Sequence, residues 1–261
     1  MWKELELLRK KYLDLNLDQV IDYEKLSMIS MVYHSTKIEG CSLSENDTII
    51  LLENGITANG KPLTDHLMVK DHYNAFLFIK EKAQAKCSLS IDFLKETAAI
   101  VMQHTGGKVN SMGDSFDTSK GDLRLAQVYV DKKYFPDFKK VESLLNQLLK
   151  NINDKLANVN ENDVLKLAAD FHYNFINIHP FGDGNGRTAR LLMNYIQFYH
   201  NEPLLKIFTE DRAAYIEALN KTEELEDLTI FRDFICLQQS KFFKLELEKY
   251  KKRDKGFALL F

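Results

Sequence analysis

The amino-acid sequence predicts an all-α fold, a helical bundle that carries one small β-hairpin. Apolar residues recur at helical spacing along nearly the whole chain. Only four prolines occur in 261 residues, which suits a chain of long helices. Residues 125–130 alone have the character of a strand. Ten helices are predicted, at residues 2–16, 18–39, 44–54, 63–84, 89–103, 137–152, 162–178, 185–200, 209–222 and 227–250.

The second and third helices have a recognisable stop and start signal, respectively. Gly40 is a natural residue to follow the C-terminus of the second helix. Ser44 and Asp47 have the spacing of an N-cap for the third. After the fifth helix, the polar segment from Gly106 to Lys120 is predicted to be a mobile loop. The strand at 125–130 and a turn at 131–133 then form the hairpin.

The second half of the chain contains the helices that form the centre of the bundle. Asn162 is predicted to cap a helix whose apolar residues recur at helical spacing up to Ile178. The next helix is apolar on nearly every face from Leu191 to Tyr199. This pattern indicates a central, buried helix.

Residues His179 to Arg190 read HPFGDGNGRTAR, a composition suited to a polyphosphate site with a proton acceptor beside it. Glycines let backbone N–H groups approach phosphate oxygens, and arginines pair with phosphate in a planar, bidentate way. Asp183 can hold a divalent cation, and His179 can accept a proton near neutral pH. The segment also opens a buried helix, whose N-terminal N–H groups favour an anion. A plain turn would need only one or two of the glycines.

This segment resembles the signature of the Fic family, HxFx(D/E)GNGRxxR, at every specified position. A weaker resemblance extends from about Cys41 to about Phe243, and it includes the turn 121–124 and the run 211–219. It implies a Fic-type bundle that transfers AMP from ATP to a protein hydroxyl side chain, with release of pyrophosphate. The matched residues are His179, Phe181, Asp183, Gly184, Asn185, Gly186, Arg187 and Arg190.

The resemblance implies a role for each matched residue. His179 would be the general base, and Asp183 would hold Mg²⁺ bridging the α- and β-phosphates of ATP. Phe181 would anchor the loop by packing.

The remaining matched residues would bind the nucleotide phosphates. N–H groups near Gly184, Asn185 and Gly186 would form an anion nest, and Asn185 would also touch the α-phosphate. Arg187 would bind the β-phosphate region, and Arg190 would bind the γ-phosphate.

The stretch Ser35 to Gly40 resembles the autoinhibition motif (S/T)xxxE(G/N) of the same family. Ser35 and Glu39 lie four residues apart and share a helix face. The resemblance implies that Glu39 pairs with Arg190 and blocks productive seating of the γ-phosphate, as in the class with an N-terminal inhibitory helix. Taken alone, the pattern also fits an exposed glutamate at a capped helix end.

The hairpin near residues 124–136 is either a surface cover for the core or a flap that binds an extended segment of a target protein. The resemblance implies the second use, and it leaves self-modification and a homodimer open. Two roles also remain open for Asp211, Arg212 and Tyr215: they cap and pack the helix, or they contribute to the base pocket. His172 is interpreted as a packing residue.

Composition limits the partners and the compartment. The net charge is −3 and no long basic run occurs, which argues against a nucleic-acid or anionic-membrane partner. Three cysteines without a C-x-x-C pair favour a reduced, cytoplasmic setting. The N-terminus lacks an apolar signal segment, and no apolar run reaches the length of a membrane span.

The chain is predicted to form one compact unit. Residues 1–60 would be the N-terminal helices with the inhibitory helix, residues 61–245 the Fic core with its loop at 179–190, and residues 246–261 a tail. Two alternatives to AMP transfer stay open: the same fold could remove AMP or transfer another nucleotidyl or phosphoryl group, or it could be a non-catalytic nucleotide sensor.

Overall fold

The computed structural model describes residues 1–17, 20, 22–111, 114–130 and 133–254. Ten α-helices and two β-hairpins form this part of the chain, so the predicted all-α fold is confirmed. No helix in these ranges is long and apolar enough to cross a membrane. The helices are α1 (Trp2–Leu13), α2 (Tyr23–Ile38), α3 (Glu45–Asn54), α4 (Leu63–Gln84), α5 (Ile91–Val101), α6 (Phe138–Leu156), α7 (Val164–Ile178), α8 (Asn185–Tyr199), α9 (Arg212–Glu224) and α10 (Leu228–Asp254).

Helix α8 lies at the centre of the bundle, packed against α7, α4 and α5. Its residues from Arg187 to Gln197 are all buried, as the apolar pattern predicted. The rings of Phe171 and Phe175 on α7 are fully buried as well. Burial of each such ring contributes roughly 1.5–3 kcal/mol to stability. The N-terminus of α8 is therefore held by the best-packed part of the molecule.

Helix α2 packs against α3, α4 and α8 and ends in a well-defined C-terminal cap. Gly40 has a φ of 96°, and its N–H donates to the carbonyl of Lys37 at 3.0 Å. The N–H of Cys41 donates to the carbonyl of Thr36 at 3.2 Å. The predicted cap of α3 is also present, because Ser44 and Asp47 form a reciprocal capping box. These bonds fix the place at which Glu39 leaves the helix.

The polar segment after α5, predicted as a loop, contains a β-hairpin. Strand β1 (Lys108–Ser111) pairs antiparallel with β2 (Asp114–Asp117). Thr118 closes the hairpin, since its N–H donates to the carbonyl of Gly107 at 3.0 Å and its hydroxyl accepts from the N–H of Gly107 at 2.9 Å. The ring of Phe116 is buried against Gly182, where an added Cβ would lie 2.6 Å from it. The hairpin thus supports the glycine-rich loop.

The predicted flap is present, although its strands are shorter than expected. Strand β3 (Tyr129–Val130) pairs antiparallel with β4 (Lys133–Tyr134), and Tyr129 lies opposite Tyr134. The carbonyls of Ala126 and Pro136 accept hydrogen bonds from Arg124 instead of joining the ladder. Residues 131 and 132 of the predicted turn lie outside the described residues.

Several helix boundaries differ from the prediction. Helix α1 ends at Leu13 rather than at 16, α2 begins at Tyr23 rather than at 18, and α6 extends to Leu156 rather than to 152. Asn162 does not cap α7, because it lies within a 3-10 turn at Glu161–Asp163 and α7 begins only at Val164. Helix α10 continues to Asp254 and so includes the start of the predicted tail. Residues 255–261 of that tail lie outside the described residues.

Candidate active site

Residues 179–184, which we call the motif loop, connect α7 to α8. The loop turns at two left-handed residues, His179 with a φ of 51° and Gly184 with a φ of 77°. Phe181 is buried and forms an isolated β-bridge with Leu123, so its predicted anchoring role agrees with its position. The side chain of Asn185 accepts from the N–H of Phe181 at 3.0 Å and donates to its carbonyl at 2.8 Å. The loop is thereby closed onto the first turn of α8.

These contacts change the interpretation of two predicted binding residues. The Asn185 side chain is buried and engaged with the loop backbone, so the structure does not support its predicted contact with the α-phosphate. Phe181 does not line the cleft described below. Both residues shape the loop, and the backbone N–H groups remain the groups available to an anion.

The orientation of the His179 side chain is fixed by a ring contact and by a hydrogen bond. Its ring stacks on Phe135 at a centroid distance of 4.0 Å, and its Nδ1 lies 3.3 Å from the carbonyl of Ile176. Because a carbonyl only accepts, Nδ1 carries the proton and Nε2 is left as a proton acceptor. Burial lowers the pKa of His179 to about 4, with Arg124 and Lys133 adding to the effect. The imidazole is therefore neutral at physiological pH.

Glu39 and Arg190 form an ion pair at the N-terminal end of α8. Nη2 of Arg190 lies 2.6 Å from Oε1 of Glu39. Ser35 holds the same guanidinium, because its hydroxyl accepts from Nε at 2.8 Å and its carbonyl from Nη2 at 2.9 Å. The carboxylate also lies directly over Gly186, where an added Cβ would collide with Oε1. The predicted pairing of Glu39 with Arg190 is therefore present in the structure, and Ser35 contacts the same guanidinium.

The charge state of Glu39 is set by the arginines around it. Burial raises the pKa of the Glu39 carboxyl. Arg190, Arg187 and Arg212 together lower that pKa by more than burial raises it, so the net pKa is below its ordinary value. Glu39 is thus ionised at neutral pH. A carboxylate whose pKa is lowered by pairing loses that stabilisation only as the pH falls through the lowered value. The pair is therefore intact throughout the neutral range.

Arg187 is buried but has weak partners. Its guanidinium donates to the carbonyl of Val101 at 3.3 Å and to Sδ of Met102 at 2.9 Å. The ion-pair partner it has among the described residues is Asp183, at 3.9 Å. Burial lowers its pKa. Arg187 does not line the cleft, so a contact with the β-phosphate would require its side chain to move.

Asp183 is the carboxylate of the motif loop that points to solvent, with 70% of its side chain exposed. One of its oxygens accepts from the N–H of Gly184. No group of three metal-ligating side chains occurs within the described ranges. A single exposed carboxylate beside a phosphate site nevertheless suits Mg²⁺, which is commonly held by one or two carboxylates together with substrate phosphates.

A cleft of about 1130 Å³ joins the motif loop, the end of α2, the flap and α9. Its volume is ample for a nucleotide with its phosphates. The α9 wall is mixed, with Ile216 and Leu219 followed by the polar Asn220 and Glu223. Of the predicted site residues, the cleft is lined by Glu39, His179, Asp183, Gly184, Asn185, Gly186 and Arg190.

Arg124 connects the flap to the motif loop, and the sequence did not reveal this role. The side chain is fully buried and donates to the carbonyls of His179 at 2.7 Å and Ala126 at 2.9 Å, and also to those of Pro136 and Ile178. The only signal in the sequence was the turn 121–124, noted as part of a weak resemblance. Arg124 thus fixes the backbone on which the His179 ring is mounted.

The three residues at the start of α9 have separate roles. Asp211 pairs with Lys241 at 2.7 Å and lies outside the cleft. Arg212 lines the cleft and donates through Nε to the carbonyl of Ile38 at 2.8 Å. Tyr215 is buried in the cleft wall with its hydroxyl 3.0 Å from Nε2 of His172. His172 is therefore a packed core residue, as predicted.

Comparison with known proteins assigns the family. Residues 88–197 match the model of the Fic/DOC family. The chain belongs to that family. A Fic domain-containing signalling protein from Bacteroides thetaiotaomicron shares the fold, with a TM-score of 0.79 over 95% of this chain and 98% of that one, at 23% identity. A fragment of Fic-1 from C. elegans aligns with a TM-score of 0.76 over 97% of this chain and 72% of that one, at 27% identity.

Curated relatives of this Fic protein carry a common description. Protein adenylyltransferase fic-1 of Caenorhabditis briggsae is 32% identical over 209 residues, covering 78% of this chain and 38% of the relative. Protein adenylyltransferase Fic of Aedes aegypti is 30% identical over 214 residues, covering 82% and 40%. The chain therefore spans about two fifths of the length of these relatives.

The low pKa of His179 in this Fic site makes a measurable prediction. An NMR titration should place the pKa of His179 at about 4. Because the unfolded chain binds this proton near pH 6.5, the His179 contribution should lower the free energy of unfolding as the pH falls from about 6.5 towards 4. Phe135→Ala, which opens the stacked face, should move the pKa back towards 6.5. A wild-type His179 that titrates near 6.5 would contradict the buried, neutral base.

Replacing Arg124 should destabilise the Fic domain. We expect Arg124→Ala to lower the free energy of unfolding by roughly 3–5 kcal/mol, because several buried carbonyls lose a charged donor. Denaturant unfolding provides the measurement. Arg232→Ala is the matched control: its pair with Asp170 is part-exposed, and its loss should cost about 1 kcal/mol or less. Equal losses for the two variants would show that Arg124 does not fasten the loop.

Proposed function

We propose that this Fic protein transfers AMP from ATP to a serine, threonine or tyrosine hydroxyl of a protein, and that Glu39 inhibits the transfer. One observation carries the proposal: a neutral, oriented His179 and the anion-binding end of α8 line the same cleft. The curated relatives described as protein adenylyltransferases support the same reaction. The family resemblance implies that the intact Gly184 and Gly186 favour AMP transfer over phosphoryl transfer.

The residues suit an in-line substitution at the α-phosphorus. Nε2 of His179 takes the proton of the target hydroxyl as its oxygen bonds to phosphorus, and the bond to the pyrophosphate oxygen breaks. AMP remains on the target, and pyrophosphate leaves. The loop N–H groups and Arg190 offset the phosphate charge, which is the main requirement of such a reaction.

Asp183 is the residue that would hold Mg²⁺ in this site. The ion supplies further neutralisation of phosphate charge when bound. The chain contributes an exposed carboxylate, fixed at the loop by the N–H of Gly184.

Inhibition follows from competition between two anions for one cation. The carboxylate of Glu39 is ionised, 2.6 Å from Arg190, and over the first turn of α8. A γ-phosphate that binds Arg190 must displace it. Charge-assisted hydrogen bonds of this kind are worth about 1.5–3 kcal/mol each, so the competition is strong enough to suppress turnover.

The flap is the proposed contact for the protein substrate. Tyr129 and Tyr134 are among the most exposed large side chains of the described residues and border the cleft. A short hairpin of this kind can accept an extended segment along its edge. Such a segment would pass close to His179, which is stacked on Phe135 at the end of β4.

Transfer of label from ATP tests the proposal directly. With α-labelled ATP, Glu39→Gly should label itself or a lysate protein at least about 10-fold faster than the wild type, since one charge-assisted contact is removed. Adding His179→Ala should reduce the rate by about 10²–10⁴-fold. Glu53→Gly, on α3 and outside the cleft, is the matched control and should behave as the wild type.

The position of the label separates the alternatives. Label from γ-labelled ATP would mean phosphoryl transfer. Release of AMP from a modified protein that requires Glu39 would support hydrolytic removal of AMP, in which the carboxylate aligns the water molecule that attacks the phosphorus and the target hydroxyl leaves. A wild type as active as Glu39→Gly would remove the inhibitory role of Glu39.

A magnesium titration tests the role of Asp183. In the Glu39→Gly background, Asp183→Asn should raise the Mg²⁺ concentration for half-maximal labelling by at least about 10-fold, the least that loss of a metal-site contact costs. Asp170 pairs with Arg232 and does not line the cleft, so Asp170→Asn controls for general loss of a carboxylate charge. An unchanged Mg²⁺ requirement would exclude Asp183 as the ligand.

A further inference from the structure

The end of α2 is fastened by a residue of α9, which also lines the cleft. Four carbonyls at a helix C-terminus lack partners within the helix. The cap of α2 satisfies those of Thr36 and Lys37. The carbonyl of Ile38, directly before Glu39, accepts from Nε of Arg212 at 2.8 Å. Arg212 is the first residue of α9, 174 residues further along the chain.

The charge of Arg212 acts on the same carboxylate. Together with Arg190 and Arg187, it lowers the pKa of Glu39. A cation near a helix C-terminus also interacts favourably with the helix dipole. Arg212 is an exposed residue that lines the cleft beside Glu39 and Arg190. It therefore links the nucleotide-facing wall to the end of α2.

We propose that Arg212 is a positioning residue that holds Glu39 on Arg190. Without it, the last turn of α2 loses its connection to α9, and the Glu39 carboxylate spends less time over Gly186. Arg212 thereby sets the strength of the inhibition. The inference rests on the proposed function for its effect on rate, but the fastening of α2 is independent of any reaction.

A double-mutant cycle separates positioning from simple nucleotide binding. Labelling from α-labelled ATP is measured, as kcat and KM, for the wild type, Arg212→Ala, Glu39→Gly and the double variant. Arg212→Ala should change kcat/KM by one factor when Glu39 is present and by another in the Glu39→Gly background. The first factor should be about 3- to 10-fold more favourable than the second, which corresponds to loss of one hydrogen bond. An equal factor in both backgrounds would overturn the proposal, because a pure nucleotide contact acts without regard to Glu39.

Amide exchange tests the fastening itself. Arg212→Ala should speed exchange of the Gly40 and Cys41 amides, which donate to Lys37 and Thr36, at least several-fold. Arg212→Lys, which keeps the charge without the planar donor, should give a smaller change. Arg232→Ala should leave these amides unchanged. Unaltered exchange in Arg212→Ala would overturn the proposal even if Glu39→Gly is active.

The two measurements distinguish a failure here from a failure of the proposed function. If Glu39→Gly transfers no label while exchange in Arg212→Ala is faster, the fastening stands and AMP transfer is wrong. If Glu39→Gly transfers label and Arg212→Ala shows no coupling, AMP transfer stands and the positioning role is wrong.

Discussion

Two buried guanidinium groups on the first turns of α8 set the main constraint on this structure. Arg187 and Arg190 are 3% and 2% exposed, and a buried charge is costly unless it is paired and hydrogen-bonded. Arg190 obtains its partners from α2, through Ser35 and Glu39. Among the described residues, the partners of Arg187 are a carbonyl, a thioether sulfur and a distant carboxylate. The positive charge of the two arginines is thus only partly neutralised by the protein's own groups, and the rest is available to an anion.

The inhibitory contact and the proposed phosphate site are the same arrangement of atoms. The helix N-terminus, the bare backbone of Gly186 and the guanidinium of Arg190 together favour an anion. Glu39 supplies one from within the chain, and its ionised state is maintained by the arginines that a phosphate would also use. In the proposed function, inhibition would therefore need no separate switch: it would last as long as α2 keeps its end in place.

The sequence predicted the helices and the central motif because both depend on local pattern. Periodic apolar residues located α8, and the identities of His179, Asp183 and Arg190 indicated their chemistry. Contacts between distant segments could not be predicted in this way. Arg124 reaches the carbonyl of His179 across 55 residues, and Asn185 turns inward to Phe181 only because the loop closes there. Asn162 was misassigned because a 3-10 turn can occupy the position where a cap is expected.

The flap packs against His179, and in the proposed function it also contacts the target protein. Phe135, at the end of β4, covers one face of the His179 ring and contributes to the burial that keeps it neutral. Arg124 joins the backbone on either side of the flap to the carbonyl behind that ring. A protein segment added to the flap edge would therefore bury the imidazole further, which favours its neutral form. Docking of the target and burial of His179 would then depend on one hairpin. Beneath it Arg124 is buried, without a carboxylate partner at hydrogen-bond distance among the described residues.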